Sequence, residues 1–416
     1  MSFKNIMIAQ SGGPSSAINA SLAGVISAGM KSPHIQQIYG AANGIDGVLN
    51  NRIIDIQAQI RCEEDLALLK LTPAMALGSC RIKLPDYHQD SSLYETIENT
   101  LERYNIGCFF YLGGNDSMDT ASKLASYFTM RGKDISVIGV PKTIDNDLAC
   151  TDHTPGFGSA AKYIAGTVKS IARDCEVYNT PSVTLVEIMG RNAGWLTASS
   201  VLARLDGDAA PQLIYLCELP FNNDNFIRDV TVAVRSYRNV VVTVSEGLRY
   251  ADGSYVGSDF KSGGQDVFGH QDLSGVGTYL KALVSARIGC KIRSVELNVP
   301  QRCASFSASL TDINESFAIG EEAVACALAG NTGKMMVFER LSDHPYKVKI
   351  SDVDVSLAAN KVKPFPVEWI SENSADIRPE GVSYLAPLIQ GEPSVPYQNG
   401  IPVHFRFKRE FVGKER

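Results

Sequence analysis

The sequence predicts an α/β protein of two lobes with a cleft between them, and three observations carry that prediction. Apolar strand-like runs hand over repeatedly to loops of glycine and small polar residues and then to helical patterns, the alternation expected of a parallel sheet. The 416 residues exceed what one hydrophobic core usually holds, so each lobe is large enough to bury its own. With 44% hydrophobic and 20% charged residues, the composition is that of an ordinary globular enzyme.

Taken in order, the first unit is Ile6-Met7-Ile8-Ala9, then Ser11-Gly12-Gly13-Pro14-Ser15-Ser16, then a helix beginning near Ala17. Backbone N–H groups at such a helix start point into the loop and suit an anion. In the second, Cys108-Phe109-Phe110-Tyr111-Leu112 runs into Gly113-Gly114-Asn115-Asp116-Ser117 and a helix to about Met130; the glycines allow a ligand close to the backbone. The third unit, Ile135-Ser136-Val137-Ile138-Gly139-Val140, ends in Pro141-Lys142-Thr143-Ile144-Asp145-Asn146-Asp147, which puts two carboxylates and a lysine at a strand tip. Two more runs, Ser182–Ile188 and residues 240–244, end in Met189-Gly190-Arg191-Asn192 and Ser245-Glu246-Gly247. Any one Gly-Gly pair or Asp-Asn-Asp heptad is commonly just a turn. Repeated at the carboxyl ends of strands, where open sheets bind ligands, they predict a multi-loop phosphate site.

The usual nucleotide fingerprints fail on position. Gly24 and Gly29 have P-loop spacing, but Met30-Lys31 is one residue out of register and lies in a helical pattern. Gly156-Phe157-Gly158-Ser159-Ala160-Ala161 fits a dinucleotide pattern but follows Asp152-His153-Thr154-Pro155, a loop and not a strand. A net charge of −6 argues against a nucleic-acid partner. The start, Met1-Ser2-Phe3-Lys4-Asn5-Ile6, leads directly into a strand, and no long apolar span follows, so a cytoplasmic protein without a membrane role is expected.

Nine cysteines without a Cys-x-x-Cys pair read as reduced thiols, and six dispersed histidines form no ligand pair. Cys80 and Cys303 stand beside arginines but read as wall or core residues. The least regular segments, 86–92, 250–277 and 361–398, read as insertions and a tail. Ser262-Gly263-Gly264-Gln265-Asp266, within the second, reads as a surface loop in preference to a lid.

Read together, Gly12-Gly13, Gly78-Ser79-Cys80-Arg81, Gly113-Gly114-Asn115-Asp116-Ser117, the heptad ending at Asp147, Met189-Gly190-Arg191, Glu246, and Arg293 with Gln301-Arg302 resemble the phosphofructokinase superfamily, pyrophosphate-dependent branch. The resemblance runs in order from about Ile6 to Ala325. It implies two Rossmann-like lobes with the active site in the cleft. Residues 1–158, completed by roughly 301–416, would form the donor lobe, and 159–300 the sugar-phosphate lobe. It also implies a homodimer or homotetramer in which Arg293 reaches a neighbour's site.

The implied activity is reversible transfer of a phosphoryl group from diphosphate to the 1-hydroxyl of fructose 6-phosphate. Asp145 matches the general base, whose effect rests on positioning because an aspartate is a weak base. Thr143 matches a position supporting the sugar and the transferring group, and Asn115 and Asp147 match positions concerned with Mg2+. Gly12, Gly13, Arg81, Gly114 and Ser117 match diphosphate-binding positions. Arg191 matches a phosphoryl contact, Met189, Gly190 and Glu246 match sugar contacts, and Arg293 and Arg302 match contacts to the sugar 6-phosphate, where guanidinium forks suit phosphate.

ATP-using relatives carry glycine at the positions of Asp116 and Lys142, leaving room for the nucleotide's α-phosphate. Here a carboxylate at Asp116 would meet that phosphate; two like charges about 4 Å apart repel by about 4 kcal/mol at an effective dielectric near 20. Lys142 offers a bare diphosphate a compact positive charge. Ala42 matches an adenine-contacting tyrosine of some ATP enzymes, a loosely aligned point in the same direction. Three departures keep alternatives open: Asn115 replaces a metal-binding aspartate, Ser182 replaces a phosphate-binding arginine, and Val299 replaces a polar sugar contact. The alternatives are an ATP-dependent kinase, a kinase of another sugar phosphate such as sedoheptulose 7-phosphate, and a non-catalytic regulatory subunit.

Overall fold

The computed structural model describes residues 5–258 and 275–413. The glycine-rich stretch Ser262-Gly263-Gly264-Gln265-Asp266 lies outside the described residues. The chain opens with β1 (Asn5–Gln10), α1 (Ile18–Lys31), β2 (Gln37–Ala41), α2 (Gly44–Leu49), β3 (Ile53–Asp55), α3 (Glu63–Leu71) and α4 (Ser92–Arg103). Next come β4 (Ile106–Gly113), α5 (Asn115–Met130), β5 (Ser136–Pro141), α6 (Phe157–Glu176), β6 (Ser182–Ile188), α7 (Trp195–Ala198) and β7 (Leu213–Tyr215). The chain continues through α8 (Asn223–Tyr237), β8 (Asn239–Ser245), α9 (Val276–Arg287), β9 (Lys291–Glu296), α10 (Pro300–Cys303), α11 (Leu310–Leu328), β10 (Lys334–Asp343), β11 (Tyr346–Asp354) and α12 (Pro379–Leu385).

Two sheets organise these elements, as the α/β reading expects. The larger has the order β11-β10-β5-β4-β1-β2-β3, and the smaller has β7-β8-β6-β9. β1, β4, β5, β6 and β8 are predominantly apolar and buried along nearly their whole length, because helices cover both faces of a parallel sheet. Helices read by periodicity instead: α4 buries Tyr94, Ile97 and Leu101, spaced three and four residues apart, and α8 buries Phe226, Val230 and Ala233. Asn222 caps α8 by accepting from the Asn225 N–H at 2.9 Å.

Register places the strand tips side by side. Gln10 pairs with Leu112, and Gly113 pairs with Pro141, so the loops after β1, β4 and β5 emerge together from one edge. In the smaller sheet Ile188 pairs with Ser245 and Glu187 with Glu296, which aligns the loops after β6, β8 and β9. Residues after β11 cross between the sheets: Phe365, Ile370, Ile377, Tyr384, Leu385 and Leu388 pack into the core formed by α6, β6 and the residues around Trp195.

The two rejected nucleotide patterns have structural explanations. Gly24 lies where α1 crosses α11, and a Cβ there would collide with the Phe317 carbonyl. The α6 N-terminus, which a dinucleotide would need, is taken by the carboxylate of Asp312, which accepts from the N–H groups of Gly156 at 2.8 Å and Ser159 at 2.9 Å. Among the described residues no helix is long and apolar enough to cross a membrane.

Candidate active site

The aligned strand tips line a cleft of about 410 Å3. It gathers Gly12, Gly13, Arg81, Gly114, Asn115, Asp116, Ser117, Lys142, Thr143, Asp145, Asp147, Met189, Arg191, Glu246 and Arg302, residues the sequence reading nominated from seven separate segments. Gly190 stands just behind the wall and donates its N–H to Glu246 Oε1 at 3.2 Å. Arg293 is elsewhere: it pairs with Asp174 at 2.7 Å on the protein surface.

The loop after β5 lines the cleft from Lys142 to Asp147 with the exception of Asn146. Thr143, Asp145 and Asp147 face the cleft, while Asn146 adopts the left-handed conformation, with φ of 53°, and is wholly buried. Its amide nitrogen donates to the Tyr384 hydroxyl at 3.3 Å, and its oxygen accepts from the Lys363 ammonium at 3.4 Å. The Thr143 hydroxyl accepts from the Asp145 N–H at 3.1 Å, and the Thr154 hydroxyl donates to the Thr143 carbonyl at 2.7 Å. The loop is thus pinned from below and from within, which aims Asp145 without using its carboxylate.

Lys142 turns inward. Its ammonium donates to the Gly13 carbonyl at 2.7 Å, its backbone N–H donates to the Gly113 carbonyl at 2.9 Å, and only 4% of the residue is exposed. Burial brings its pKa down to about 8, against the opposing pull of Asp145. Asp145 is raised above the ordinary carboxylate range by burial, although Arg302, Lys142 and Arg191 counteract this. Burial, then the charge of Asp145, pushes Asp147 up to about 7, and the same two causes push Glu246 up to about 7.

Three half-buried carboxylates, Asp145, Asp147 and Glu246, therefore share the cleft with a lysine and three arginines. Arg191 Nε is buried with no hydrogen-bond partner among the described residues, a donor that a phosphoryl oxygen would satisfy. The first turn of the 16-residue helix α5 opens on the same space, adding oriented N–H groups. Such a site can hold a polyanion, hold a hydroxyl nucleophile near a carboxylate, and neutralise charge during phosphoryl transfer.

Several nominated positions land differently. Ala42 is wholly buried in the core and does not line the cleft. Ser182 begins β6, at the end remote from Met189, and donates to Asn239 Oδ1 at 2.8 Å. Arg293 is paired in register with Thr184 on the adjacent strand, so Ser182 and Arg293 share the end of the sheet away from this cleft. Val299 is 58% exposed beside α10. Asn115 does face the cleft, and the amide orientation that satisfies its surroundings directs its nitrogen to the carbonyls of Lys361 at 3.0 Å and Ala358 at 3.3 Å.

Sequence reasoning missed Asn360 and Val362, which line the cleft, the first just before and the second just inside the segment 361–398 read as irregular. It also passed over Cys80 as a wall residue without placing it here, and over Ser11, Pro14, Ile82, Ile144 and Asn192. No local pattern marks Asn360 or Val362; only their placement after the last strand of the larger sheet brings them in.

Comparison with known proteins agrees with this geometry. The family model described as phosphofructokinase matches residues 5–327. The chain is 39% identical to the pyrophosphate–fructose 6-phosphate 1-phosphotransferase of Xanthomonas campestris pv. campestris, covering 99% of this chain and 98% of that one. It is 38% identical to the protein of that name from Halomonas elongata, covering 97% and 96%. The crystal structure of pyrophosphate-dependent phosphofructokinase from Marinobacter aquaeolei is similar at a TM-score of 0.87, with 36% identity over 99% of this chain and 98% of that one.

Proposed function

The chain belongs to the phosphofructokinase family, and from that premise we propose that it is a diphosphate–fructose-6-phosphate 1-phosphotransferase. It moves a phosphoryl group reversibly between diphosphate and the 1-hydroxyl of fructose 6-phosphate. The observation that carries the donor assignment is Lys142, whose buried ammonium stands between the glycine loop after β1 and the carboxylates of the β5 loop.

In the forward direction Asp145 accepts the proton of the sugar 1-hydroxyl as that oxygen bonds to the terminal phosphorus. The bond from phosphorus to the bridging oxygen breaks, and the electron pair leaves with phosphate. Lys142, Arg81 and Arg191 neutralise the charge on the transferring group and on the departing phosphate. Gly12, Gly13, Gly114 and Ser117 offer backbone and hydroxyl donors to the diphosphate, Asp116 closes the space beyond it, and Thr143 supports the transferring group. Met189, Gly190 and Glu246 shape the sugar site, with Arg302 at the sugar phosphate. Arg293 serves the cleft of a second copy in a homodimer or homotetramer, which its distance from its own cleft favours.

The donor set also suits Mg2+. A hard dication takes oxygen ligands and often keeps one or two carboxylates together with substrate phosphate oxygens. Asp147, half-buried near the Asp145 carboxylate, would be such a ligand, and the ion would supply charge neutralisation to the diphosphate. Asn115 has only its carbonyl oxygen to offer, because its nitrogen is engaged. The lobe of the larger sheet, residues 1–158 with parts of 301–416, holds the donor, and the lobe of 159–300 holds the sugar phosphate; residues 365–388 tie the second to the first. The enzyme acts in the cytoplasm, consistent with its free thiols.

The decisive experiment is an assay of the purified chain with fructose 6-phosphate, Mg2+, and either diphosphate or ATP. Bisphosphate is expected with diphosphate only. ATP-only turnover overturns the donor assignment, and no turnover with either overturns the acceptor or the catalytic role.

A further inference from the structure

Residues 358–363 are remote in sequence from the strand tips, yet they fasten to two of them. On one side Asn360 donates to Asp119 Oδ1 at 3.0 Å, and the Asn115 amide, in the orientation that satisfies its surroundings, donates to the carbonyls of Ala358 at 3.3 Å and Lys361 at 3.0 Å. Asn115 and Asp119 both belong to the first turns of α5. On the other side Val362 forms a bridge to Leu148, and the Lys363 N–H donates to the Asp147 carbonyl at 2.7 Å. The Lys363 ammonium, nearly enclosed, collects the carbonyls of Asp152 at 2.6 Å and Thr151 at 3.0 Å and the side-chain oxygen of Asn146 at 3.4 Å. Between these fastenings, Asn360 and Val362 face the cleft.

From this geometry we infer that residues 358–363 form a strap that fixes the start of α5 relative to the Asp145 loop, with Asn115 and Lys363 as its positioning residues. The chemistry explains the amide at 115. A carboxylate there has no N–H to give and would set negative charge against two carbonyl oxygens. Asn115 is therefore a fastening of the strap and not a replacement metal ligand. Lys363 works in the same way on the other side, where three acceptors on the segment from Asn146 to Asp152 converge on one ammonium with three donors. Misplacement of either edge by about 1 Å would separate the phosphoryl group from the base, at a cost of about a hundredfold in rate. This kinetic consequence rests on the phosphotransferase reading, whereas the strap itself does not.

The test uses the full chain and two independent readouts. In amide hydrogen exchange, Asn115→Ala is expected to speed exchange across residues 355–365 by about tenfold or more while the sheet cores stay protected. Asn360→Ala, a milder change, should give a smaller effect in the same segment. Unchanged exchange in both variants overturns the strap. In the diphosphate assay, Asn115→Asp and Lys363→Gln are expected to lower kcat by about tenfold or more, with KM for both substrates within about threefold and no drop in the Mg2+ concentration needed for half-maximal rate. Retained kcat in Asn115→Asp with a lowered Mg2+ requirement overturns the assignment of Asn115, because that is how a restored metal ligand behaves. Wild-type protein silent with diphosphate refutes the phosphotransferase reading alone, and the exchange result still decides the strap.

Discussion

The Lys142 ammonium donates to the carbonyl oxygen of Gly13 at 2.7 Å, joining the tip of β5 to the loop after β1. A lysine next to a proline at a strand end is ordinarily a solvated surface residue. Here it is held inside the cleft wall, and burial brings its pKa down from 10.5 to about 8, so it stays mostly charged at neutral pH but its charge is less well stabilised than in water. A diphosphate placed beside it would supply the missing stabilisation.

Replacing both Asp116 and Lys142 by glycine should change the donor. The double variant is expected to bind ATP measurably and to raise KM for diphosphate by about tenfold or more, since it removes a repulsion of about 4 kcal/mol from the nucleotide's α-phosphate and a cation from the diphosphate. Titration of ATP by calorimetry checks this; no gain in ATP binding would remove the charge argument.

Gly12→Ala should act through Lys142. Gly12 sits at φ of +85°, where a side chain is strained, and its Cβ would stand 3.1 Å from the lysine nitrogen. The strain costs about 1–2 kcal/mol of stability, and the displaced ammonium should raise KM for diphosphate several-fold more than KM for the sugar. Equal effects on the two KM values would place the glycine loop outside the donor site.

The pH dependence follows from two groups. Glu246 is raised from 4.5 to about 7, so the folded chain holds its proton more tightly than the unfolded chain. Its contribution to stability is fully present below about 4.5 and is lost as pH rises through about 7. Lys142 has the opposite sign: its buried charge weighs against folding below about 8, and that penalty disappears as pH climbs from about 8 toward 10.5. Diphosphate needs the charged lysine, so kcat/KM for diphosphate in the free enzyme should fall about tenfold per pH unit above about 8. Lys142→Arg should abolish that fall, and a wild-type profile flat to pH 9.5 would exclude Lys142 from donor binding.

The parts of the site that were legible in the sequence are those governed by the strand-to-loop transition. β4 and β5 are continuous apolar runs because both their faces are covered, and their ends are abrupt because the next residues must be polar. That abruptness exposed Gly114, Asp116, Lys142 and Asp145. Ser182 shows the limit of matching positions without geometry: it begins the run that Met189 follows, so it stands at the opposite end of β6 from the cleft. Lys363 was invisible for a different reason. Its partners include backbone carbonyls 211 and 212 residues earlier, and a carbonyl leaves no mark on the identity of its residue.

Asp145→Ser should collapse turnover by at least about a hundredfold while leaving the fold intact. The carboxylate is not a structural fastening: the loop is held by Thr143, Asn146 and the Lys363 contacts, and the Asp145 backbone N–H, which bonds to the Thr143 hydroxyl at 3.1 Å, survives the substitution. Removing a buried carboxylate that burial disfavours should leave thermal stability unchanged or slightly higher. The Michaelis constants should change little, because the proton moves only as the new bond to phosphorus forms. Measurement of kcat, both KM values and Tm on the same preparation separates the possibilities. A loss of kcat alone identifies the base, a parallel loss of Tm identifies a structural residue, and near-normal kcat transfers the role of base to the neighbouring carboxylate of Asp147.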